Sequence, residues 1–171
     1  MKWTSHKLLT GSIVFAMTGS ILPSLAAIVG SIIPDSVEGF PDDSNRAAWR
    51  KRHRKLSHWP ILYALITAAL IGYAHYYGVH DLLFANLPNI IFSPIQNLSQ
   101  IIYAVSFIFL GALLHIIEDA FCGKVPLLDP YKQTIGIKLF YVGSAKEYAY
   151  VFALSALLVY ARFHIAHIPI V

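Results

Sequence analysis

The sequence has little charge and a single cysteine, Cys122. One cysteine excludes an intramolecular disulfide, and therefore a disulfide-stapled scaffold. Charged residues make up 13% of the chain, about half of the roughly 25% found in soluble domains. So little charge cannot cover the surface of a small water-soluble domain, and the 57% hydrophobic content excludes a disordered chain. The composition therefore predicts one integral membrane domain that comprises residues 1–171.

Apolar runs near the length that a bilayer requires, about 20 residues, occur in three places. They are residues 60–77, 101–121 and 148–168. A fourth run, residues 8–33, contains Gly19 and Pro23, which predict a kink or a break. An unbroken helix there would span once, whereas a broken one would turn back and bring the N-terminus beside Asp35. The sequence thus predicts an all-α, multi-pass transmembrane bundle with three to four spans.

Lys and Arg are distributed unevenly between these runs. Segments 34–59 and 122–147 hold six and four of them, and segment 78–100 holds none. Because short loops rich in Lys and Arg remain cytoplasmic, we expect the first two segments inside and the third outside. The prolines and asparagines of 78–100 predict an interfacial or re-entrant loop. The basic residues favour contact with membrane lipids, and their placement gives no reason to expect nucleic-acid binding.

Histidines and carboxylates concentrate near the predicted cytoplasmic face. His115 and Asp119 are four residues apart on a predicted helix, so their side chains project from one face about one turn apart. An imidazole and a carboxylate at that spacing can ligate one divalent ion. Further candidates at the same membrane level are Asp35, His53 and His58. The alternatives are a hydrogen-bonded core histidine for His115 and a simple Pro-Asp turn for Asp35.

An acidic residue precedes the last apolar run in the segment GSAKE. Ser144 and Glu147 have the spacing of a helix capping box, in which the serine and the glutamate each bond a backbone N–H. Glu147 lies on the same predicted side as the other candidates. It is therefore either a helix cap, a metal ligand or a general base.

Five short segments occur here in one order: SHKLLTG, IIPDSVEG, HRKLSHW, HIIED with GKVPLLDP, and GSAKE. In this order, over residues 5–150, the chain resembles the YdjM-type family of bacterial inner-membrane, metal-dependent hydrolases, whose type member is described as LexA-regulated. The resemblance implies that the metal is surrounded by His6, Asp35, His53, His58, His115, Asp119 and Glu147. The chain departs from the family's LPDxD-like turn, because Val37 stands at the second Asp and Glu38 follows it.

Together, these patterns and what the family resemblance implies predict a metal-dependent hydrolase at the cytoplasmic face of the bacterial inner membrane. Mixed nitrogen and oxygen ligands favour Zn²⁺ or Mn²⁺ over Ca²⁺. The predicted ligands are His58, His115, Asp119, Asp35, His53 and His6, and the candidate bases are Glu147 and Glu38. The predicted substrate is a lipid-linked ester or phosphoester, or a small molecule. A non-catalytic metal-binding membrane protein and an ion or proton transporter remain alternatives.

Overall fold

The computed structural model describes residues 1–39, 44–77 and 98–165, which are mostly helical, as predicted. The helices are α1 (Trp3–Thr18), α2 (Ile21–Gly30), α3 (Ile33–Glu38), α4 (Arg46–Arg52), α5 (Pro60–Tyr76), α6 (Leu98–Asp119) and α7 (Ala145–Ile165). A 3₁₀ turn, Leu56–His58, precedes α5. An antiparallel hairpin, which the sequence did not predict, pairs β1 (Val125–Pro126) with β2 (Gln133–Ile135) after α6.

Two of the described helical segments are long and apolar enough to cross a membrane, Ile21–Glu38 and Ile101–Asp119. The predicted span at 60–77 is the 17-residue helix α5, about 25 Å long and shorter than a bilayer core of roughly 30 Å. The predicted span at 148–168 falls largely in α7, which is not one of the two. A bundle of three to four spans therefore stays a prediction. The interfacial loop predicted over 78–100 lies almost wholly outside the described residues.

The first apolar run is broken, and the break is at Gly19. Gly19 has φ 66°, in the left-handed region that favours glycine, and its N–H closes α1 on the Phe15 carbonyl at 2.7 Å. Helix α2 then starts at Ile21, with Pro23 in its first turn, where a proline removes no helical hydrogen bond.

Helix α2 runs back along α1. A Cβ placed on Gly11 of α1 would come within 2.7 Å of the Ile28 side chain of α2, so the two helices are in close contact. At the end of the pair opposite the Gly19 break, where α1 begins and α2 ends, the Trp3 indole Nε1 donates to Asp35 Oδ2 at 2.9 Å. Of the two predicted alternatives, the structure has the one in which the chain turns back.

Helices α2 and α6 cross at two glycines. A Cβ on Gly30 would come within 1.9 Å of the Ile108 carbonyl oxygen, and one on Gly111 within 2.0 Å of the Ala27 carbonyl oxygen. Only residues without a side chain allow two backbones to approach this closely, as at many helix crossings in membranes. The crossing brings the end of α2 against the last turns of α6, where His115 lies.

Large apolar side chains point away from the bundle. More than half of the residue surface is exposed for Leu25, Val29, Leu65, Phe152 and Leu157. An outward apolar surface of this kind suits contact with lipid and would be costly in water.

The basic segments 34–59 and 122–147 meet at one end of the bundle. The Trp59 indole Nε1 donates to the Leu127 carbonyl oxygen at 3.0 Å. Arg54 pairs with Asp119, with 2.8 Å between Nε and Oδ2. The predicted candidate residues are collected at this end.

Candidate metal centre

Four elements deliver the candidate ligands to the same end of the bundle. His6 lies in the first turns of α1, and His115 and Asp119 lie one turn apart at the end of α6. Asp35 is in the first turn of α3, where the helix dipole stabilises a carboxylate. His58 ends the 3₁₀ turn and is followed, two residues on, by Pro60 at the first position of α5, a favoured place for proline.

Two imidazoles and one carboxylate form the centre of the cluster. The Nε2 atoms of His58 and His115 are 3.3 Å apart. Asp35 Oδ1 lies 3.4 Å from His58 Nε2 and 3.6 Å from His115 Nε2. Asp119 Oδ2 is 3.7 Å from His58 Nε2 and 4.0 Å from His115 Nε2. Both histidines are fully buried and Asp119 nearly so.

These separations match the edges of a coordination tetrahedron. Bonds of about 2.0–2.1 Å to a tetrahedral zinc ion place the ligand atoms roughly 3.3–3.4 Å apart. The distances among His58, His115 and Asp35 are close to that value, and those to Asp119 are slightly longer. The donor set of imidazoles and carboxylates therefore fits Zn²⁺ or Mn²⁺.

His6 completes a second group of three donors with His115 and Asp119. The His6 ring stacks on His115 with 3.9 Å between centroids, and its Nε2 lies 3.3 Å from Asp119 Oδ1. His115 thus belongs to both groups of donors. Since its Nδ1 atom contacts the Ser31 carbonyl oxygen at 2.6 Å, its Nε2 atom is the one that both groups share.

In the three histidines of the two donor groups, His6, His58 and His115, the Nδ1 atom is held by an acceptor. His115 Nδ1 donates to the Ser31 carbonyl, His58 Nδ1 to Glu38 Oε1 at 3.1 Å, and His6 Nδ1 to Glu118 Oε2 at 2.6 Å. A neutral imidazole that donates through Nδ1 presents a lone pair at Nε2. Acceptors behind the ring are also what fixes metal-ligating histidines in other proteins. The three lone pairs therefore face one another and the two carboxylates.

A cluster of acceptor atoms this close favours positive charge, and two cations already contact Asp119, the Met1 ammonium at Oδ1 and Arg54 at Oδ2. Two Nε2 lone pairs at 3.3 Å repel unless a proton or a metal ion lies between them. His6 Nε2 and Asp35 Oδ1 are buried, with no hydrogen-bond partner among the described residues. Burial opposes a charged His58, but the neighbouring carboxylates of Asp35 and Glu38 outweigh burial and raise the pKa of His58. A positive charge at the centre is therefore favoured.

Glu38, a predicted base, supports two histidines. Its Oε2 accepts from His53 Nδ1 at 2.6 Å, and its Oε1 accepts from the Arg54 backbone N–H at 3.0 Å, as well as from Ser57 and His58. His53, a predicted ligand, lies outside both donor groups. Its ring stacks on Trp49 with 4.0 Å between centroids, and it lines a cavity of about 480 Å³ beside the centre.

Glu147, the other predicted base, has different contacts. Its Oε1 accepts from the Lys2 N–H at 2.8 Å and from Ser5 Oγ at 2.6 Å, and its Oε2 accepts from the Gly143 N–H at 2.7 Å. Its own N–H donates to Ser144 Oγ at 3.3 Å, as a helix cap requires. These contacts favour the capping alternative, with Glu147 joining the start of α1 to the start of α7.

Two charged groups at the centre, Glu118 and Arg54, were not among the predicted site residues. Glu118 is buried and also accepts from Thr10 Oγ1 at 2.8 Å. The sequence does contain a signal for Glu118, since it is three residues from His115 and therefore on nearly the same helix face. Arg54 was counted only as one more basic residue of segment 34–59, and nothing local distinguishes it from Lys51 or Lys55.

Replacement of Glu118 by glutamine tests the support of His6. The amide keeps a carbonyl that can accept from His6 Nδ1 but loses the negative charge that makes the imidazole a better ligand. Outer-shell changes of this kind cost about 10- to 100-fold in metal affinity. We expect a loss of that size in competition titrations against a zinc chelator. Thr10→Val, which removes only the second contact of Glu118, should cost less; equal affinity in Glu118→Gln and the unmodified protein would contradict the assignment.

Comparison with known proteins identifies the family of this chain. The family model described as YdjM inner membrane protein matches residues 1–168. The chain belongs to the YdjM family. Membership confirms the resemblance drawn from the five segments, and it places the chain among inner membrane proteins, in agreement with its two apolar helices. No significant match was found among curated proteins or solved structures.

Proposed function

We propose that this YdjM-family protein is a membrane-bound hydrolase that depends on one divalent metal ion. The observation that carries the proposal is the convergence of three imidazole lone pairs and two carboxylates within 3.3–4.0 Å of their neighbours, deep in the protein. Two of these atoms, His6 Nε2 and Asp35 Oδ1, have no hydrogen-bond partner in the part of the chain that the structure describes, and buried acceptors without donors are costly in a bundle that only needs to be stable.

His58, His115, Asp35 and Asp119 are proposed to hold the ion, with His6 as a fifth donor. One ion is favoured over two, because His115 offers a single Nε2 atom to both donor groups. When bound, a Zn²⁺ or Mn²⁺ ion lowers the pKa of water and polarises the oxygen of a carbonyl or phosphoryl group. Catalytic sites of this kind keep one position open to water or substrate. The cavity beside Asp35 and Asp119 supplies the access.

His53 is the proposed general base, and Glu38 orients it. The pair has the arrangement of a histidine whose Nδ1 is held by a carboxylate, which fixes the ring and makes Nε2 the atom proposed to take the proton. His53 lines the cavity, and its ring lies 5.5 Å from that of His58. In this assignment Glu38 acts through His53 rather than on water directly.

Hydrolysis then follows from the positions of these groups. A water molecule in the cavity gives one proton to His53 as its oxygen attacks the ester carbon or phosphorus. The bond from that atom to the alcohol oxygen breaks, and the proton passes from His53 to the departing alcohol. The other proton of water stays on, or is released from, the acid product.

The cytoplasmic side of the membrane is the proposed location of the reaction. Segments 34–59 and 122–147 carry ten Lys and Arg residues, and both lie at the end of the bundle that holds the centre. The positive-inside rule then supports a cytoplasmic site with multi-pass topology. A site at the basic end of the bundle would lie near the lipid headgroups of the membrane surface. This position supports a lipid-linked ester or phosphoester as substrate.

Metal analysis of the purified full-length protein, followed by turnover assays, tests the proposal. We expect one Zn²⁺ or Mn²⁺ per chain and hydrolysis of at least one ester or phosphoester in a panel of both. His53→Gln should retain the metal and lose about 10²- to 10⁴-fold in turnover, the usual contribution of a general base. The matched control is His75→Gln, on α5 away from the donor groups. It should change neither the metal content nor the turnover.

Three results would contradict the proposal in different ways. Metal-free protein after purification and after incubation with each ion would remove the metal centre. Bound metal without turnover would favour a non-catalytic metal-binding protein. Full turnover in His53→Gln would leave the hydrolase in place but exclude His53 as its base.

A further inference from the structure

The chain between α6 and α7 exposes large apolar side chains. In the loop of the hairpin, Leu128 is 77% exposed and Tyr131 is 65% exposed. Four more exposed apolar residues occur at every second position from the end of β2, and we call them the outward stripe: Ile135, Ile137, Leu139 and Tyr141. Exposed apolar residues this close together mark an interaction surface rather than a face in contact with water.

Other residues of the same segment are packed against the protein and set the direction of the stripe. Phe140 is buried, in a cluster with Leu9 and Val151. A Cβ on Gly136 would lie 2.1 Å from the Gly123 carbonyl oxygen, so Gly136 lies directly against the chain that leaves α6. Gly136 and Phe140 therefore mark the inward side of the segment, and the stripe lies on its outward side.

Backbone hydrogen bonds hold the stripe against the end of α6. The Ile137 N–H donates to the Ala120 carbonyl oxygen at 2.8 Å, and the Leu139 N–H donates to the Phe121 carbonyl oxygen at 2.7 Å. These two carbonyls directly follow Asp119, the last residue of α6. Helix α6 contains one of the two apolar stretches that are long enough to cross a membrane. The stripe is therefore fixed where that helix would leave the bilayer, at the level of the lipid headgroups.

The charges beside the stripe are almost all positive. Residues 122–146 contain four lysines and one acid, and the four lysines are exposed: Lys124, Lys132, Lys138 and Lys146. The acid, Asp129, pairs with Lys132, with 3.1 Å between Oδ2 and Nζ. Lys138 Nζ lies 5.6 Å from the centre of the Tyr141 ring, which keeps this cation beside the stripe. The charge of the surface is therefore complementary to anionic lipid headgroups.

From these observations, we propose that residues 127–142 dock on the surface of an anionic lipid leaflet. The outward stripe, together with Leu128 and Tyr131, inserts among the first carbons of the acyl chains, and the lysines contact lipid phosphates. Apolar side chains edged by lysines are typical of protein segments that lie in a membrane interface. A segment surrounded by water would have the opposite pattern, with polar residues outward.

The docked surface also borders the cavity described above. Val142, the last residue of the segment, lines that cavity. Docking therefore holds the cavity at the membrane surface. The surface itself requires neither a bound metal ion nor hydrolysis, so this proposal is independent of the proposed function.

Nitroxide labels on single cysteines measure the depth of the segment in a bilayer. The full-length protein with Cys122→Ser, which removes its single cysteine, is labelled through Leu128→Cys or Ile137→Cys. It is placed in nanodiscs of phosphatidylcholine and phosphatidylglycerol that contain one chain each. Collisions with oxygen, which concentrates in lipid, are compared with collisions with a water-soluble nickel chelate. Leu65→Cys, on the exposed face of α5, is the matched control for lipid contact, and free label in buffer is the reference for water.

We expect both labels to collide more with oxygen than with the nickel chelate, as the label at Leu65 does. Their depth should be about 5–10 Å below the lipid phosphates, the usual position of an interfacial segment. Collision ratios at Leu128 and Ile137 equal to that of free label would overturn the proposal, because water or a soluble protein would then face the stripe. Dipolar broadening between Ile137 labels in discs that hold two chains, without broadening at Leu65, would overturn it in favour of a second copy.

Neutralising the lysines tests their contact with lipid phosphates. The unmodified protein should melt at a higher temperature in discs that contain phosphatidylglycerol than in discs of phosphatidylcholine alone, since a ligand of the folded state stabilises it. A triple variant, Lys124→Gln with Lys132→Gln and Lys138→Gln, should lose most of this difference. Each lysine near an anionic surface contributes about fivefold to its attraction.

Neutral discs provide the control for the triple variant. There it should melt at the same temperature as the unmodified protein, which shows that the fold is intact. A difference between anionic and neutral discs as large in the triple variant as in the unmodified protein would refute the contact between these lysines and the headgroups.

Discussion

Alanine at His115 is expected to abolish metal binding. His115 is the one described residue that belongs to both donor groups, and its Nε2 lies 3.3 Å from His58 Nε2 and 3.6 Å from Asp35 Oδ1. The substitution removes a ligand from both donor groups, so neither group of three stays complete. The loss of affinity should exceed the roughly 10- to 100-fold cost of an outer-shell change. Metal analysis after dialysis, and competition with a chelator, measure it.

A second measurement separates loss of the ligand from loss of the fold. Saturating zinc should raise the melting temperature of the unmodified protein, since a ligand that binds only the folded state stabilises it. The His115→Ala protein should still melt cooperatively but show no shift with zinc. His164→Ala, which removes an exposed histidine whose Nδ1 contacts the Tyr160 carbonyl, is the control and should keep the full shift. A zinc-dependent shift in His115→Ala as large as that of the control would refute the centre.

Leucine at Gly111 should cause the largest loss of stability. An added Cβ would lie 2.0 Å from the Ala27 carbonyl oxygen, and backbone cannot move aside as a flexible side chain can. Helices α2 and α6 would have to separate, at a cost of at least about 3 kcal/mol, the upper end of typical overpacking effects. Zinc affinity should fall too, because the same crossing holds the Ser31 carbonyl against His115. Thermal unfolding in detergent and chelator competition measure the two effects.

Gly72 provides the matched control for Gly111. It also lies inside a helix, α5, but a Cβ there would meet nothing within 4 Å. Gly72→Ala should therefore be neutral or stabilise the protein by up to about 1 kcal/mol, since alanine is the better helix former. If Gly111→Leu melted at the same temperature as Gly72→Ala, the close crossing of α2 and α6 would be wrong.

The sequence predicted the helices well, because their signals are local. Gly19 and Pro23 indicated where the first apolar run would break, and the break is at Gly19. The number of spans was less predictable, since apolar runs look alike whether they face lipid or other helices. Helix α5 is apolar along its length yet only 17 residues long. The β hairpin was missed because its strands of two and three residues are too short for an alternating pattern.

The candidate site was predictable where residue type and helical spacing suffice. His115 and Asp119, four apart, do project toward the same point, together with His58 and Asp35. Two features of the site could not be predicted from the sequence, because they depend on tertiary contacts. The Ser31 carbonyl that orients His115 is backbone and has no sequence signature. His53 and His58 are five residues apart and similar in context, but only His58 lies in a donor group.

The donors of the centre are spread from residue 6 to residue 119 of the chain. During synthesis His6 is made first. Its partners His115 and Asp119 are not present until α6 has been translated. The proposed cation could therefore bind with its full set of donors only after α6 has been made and packed against α1.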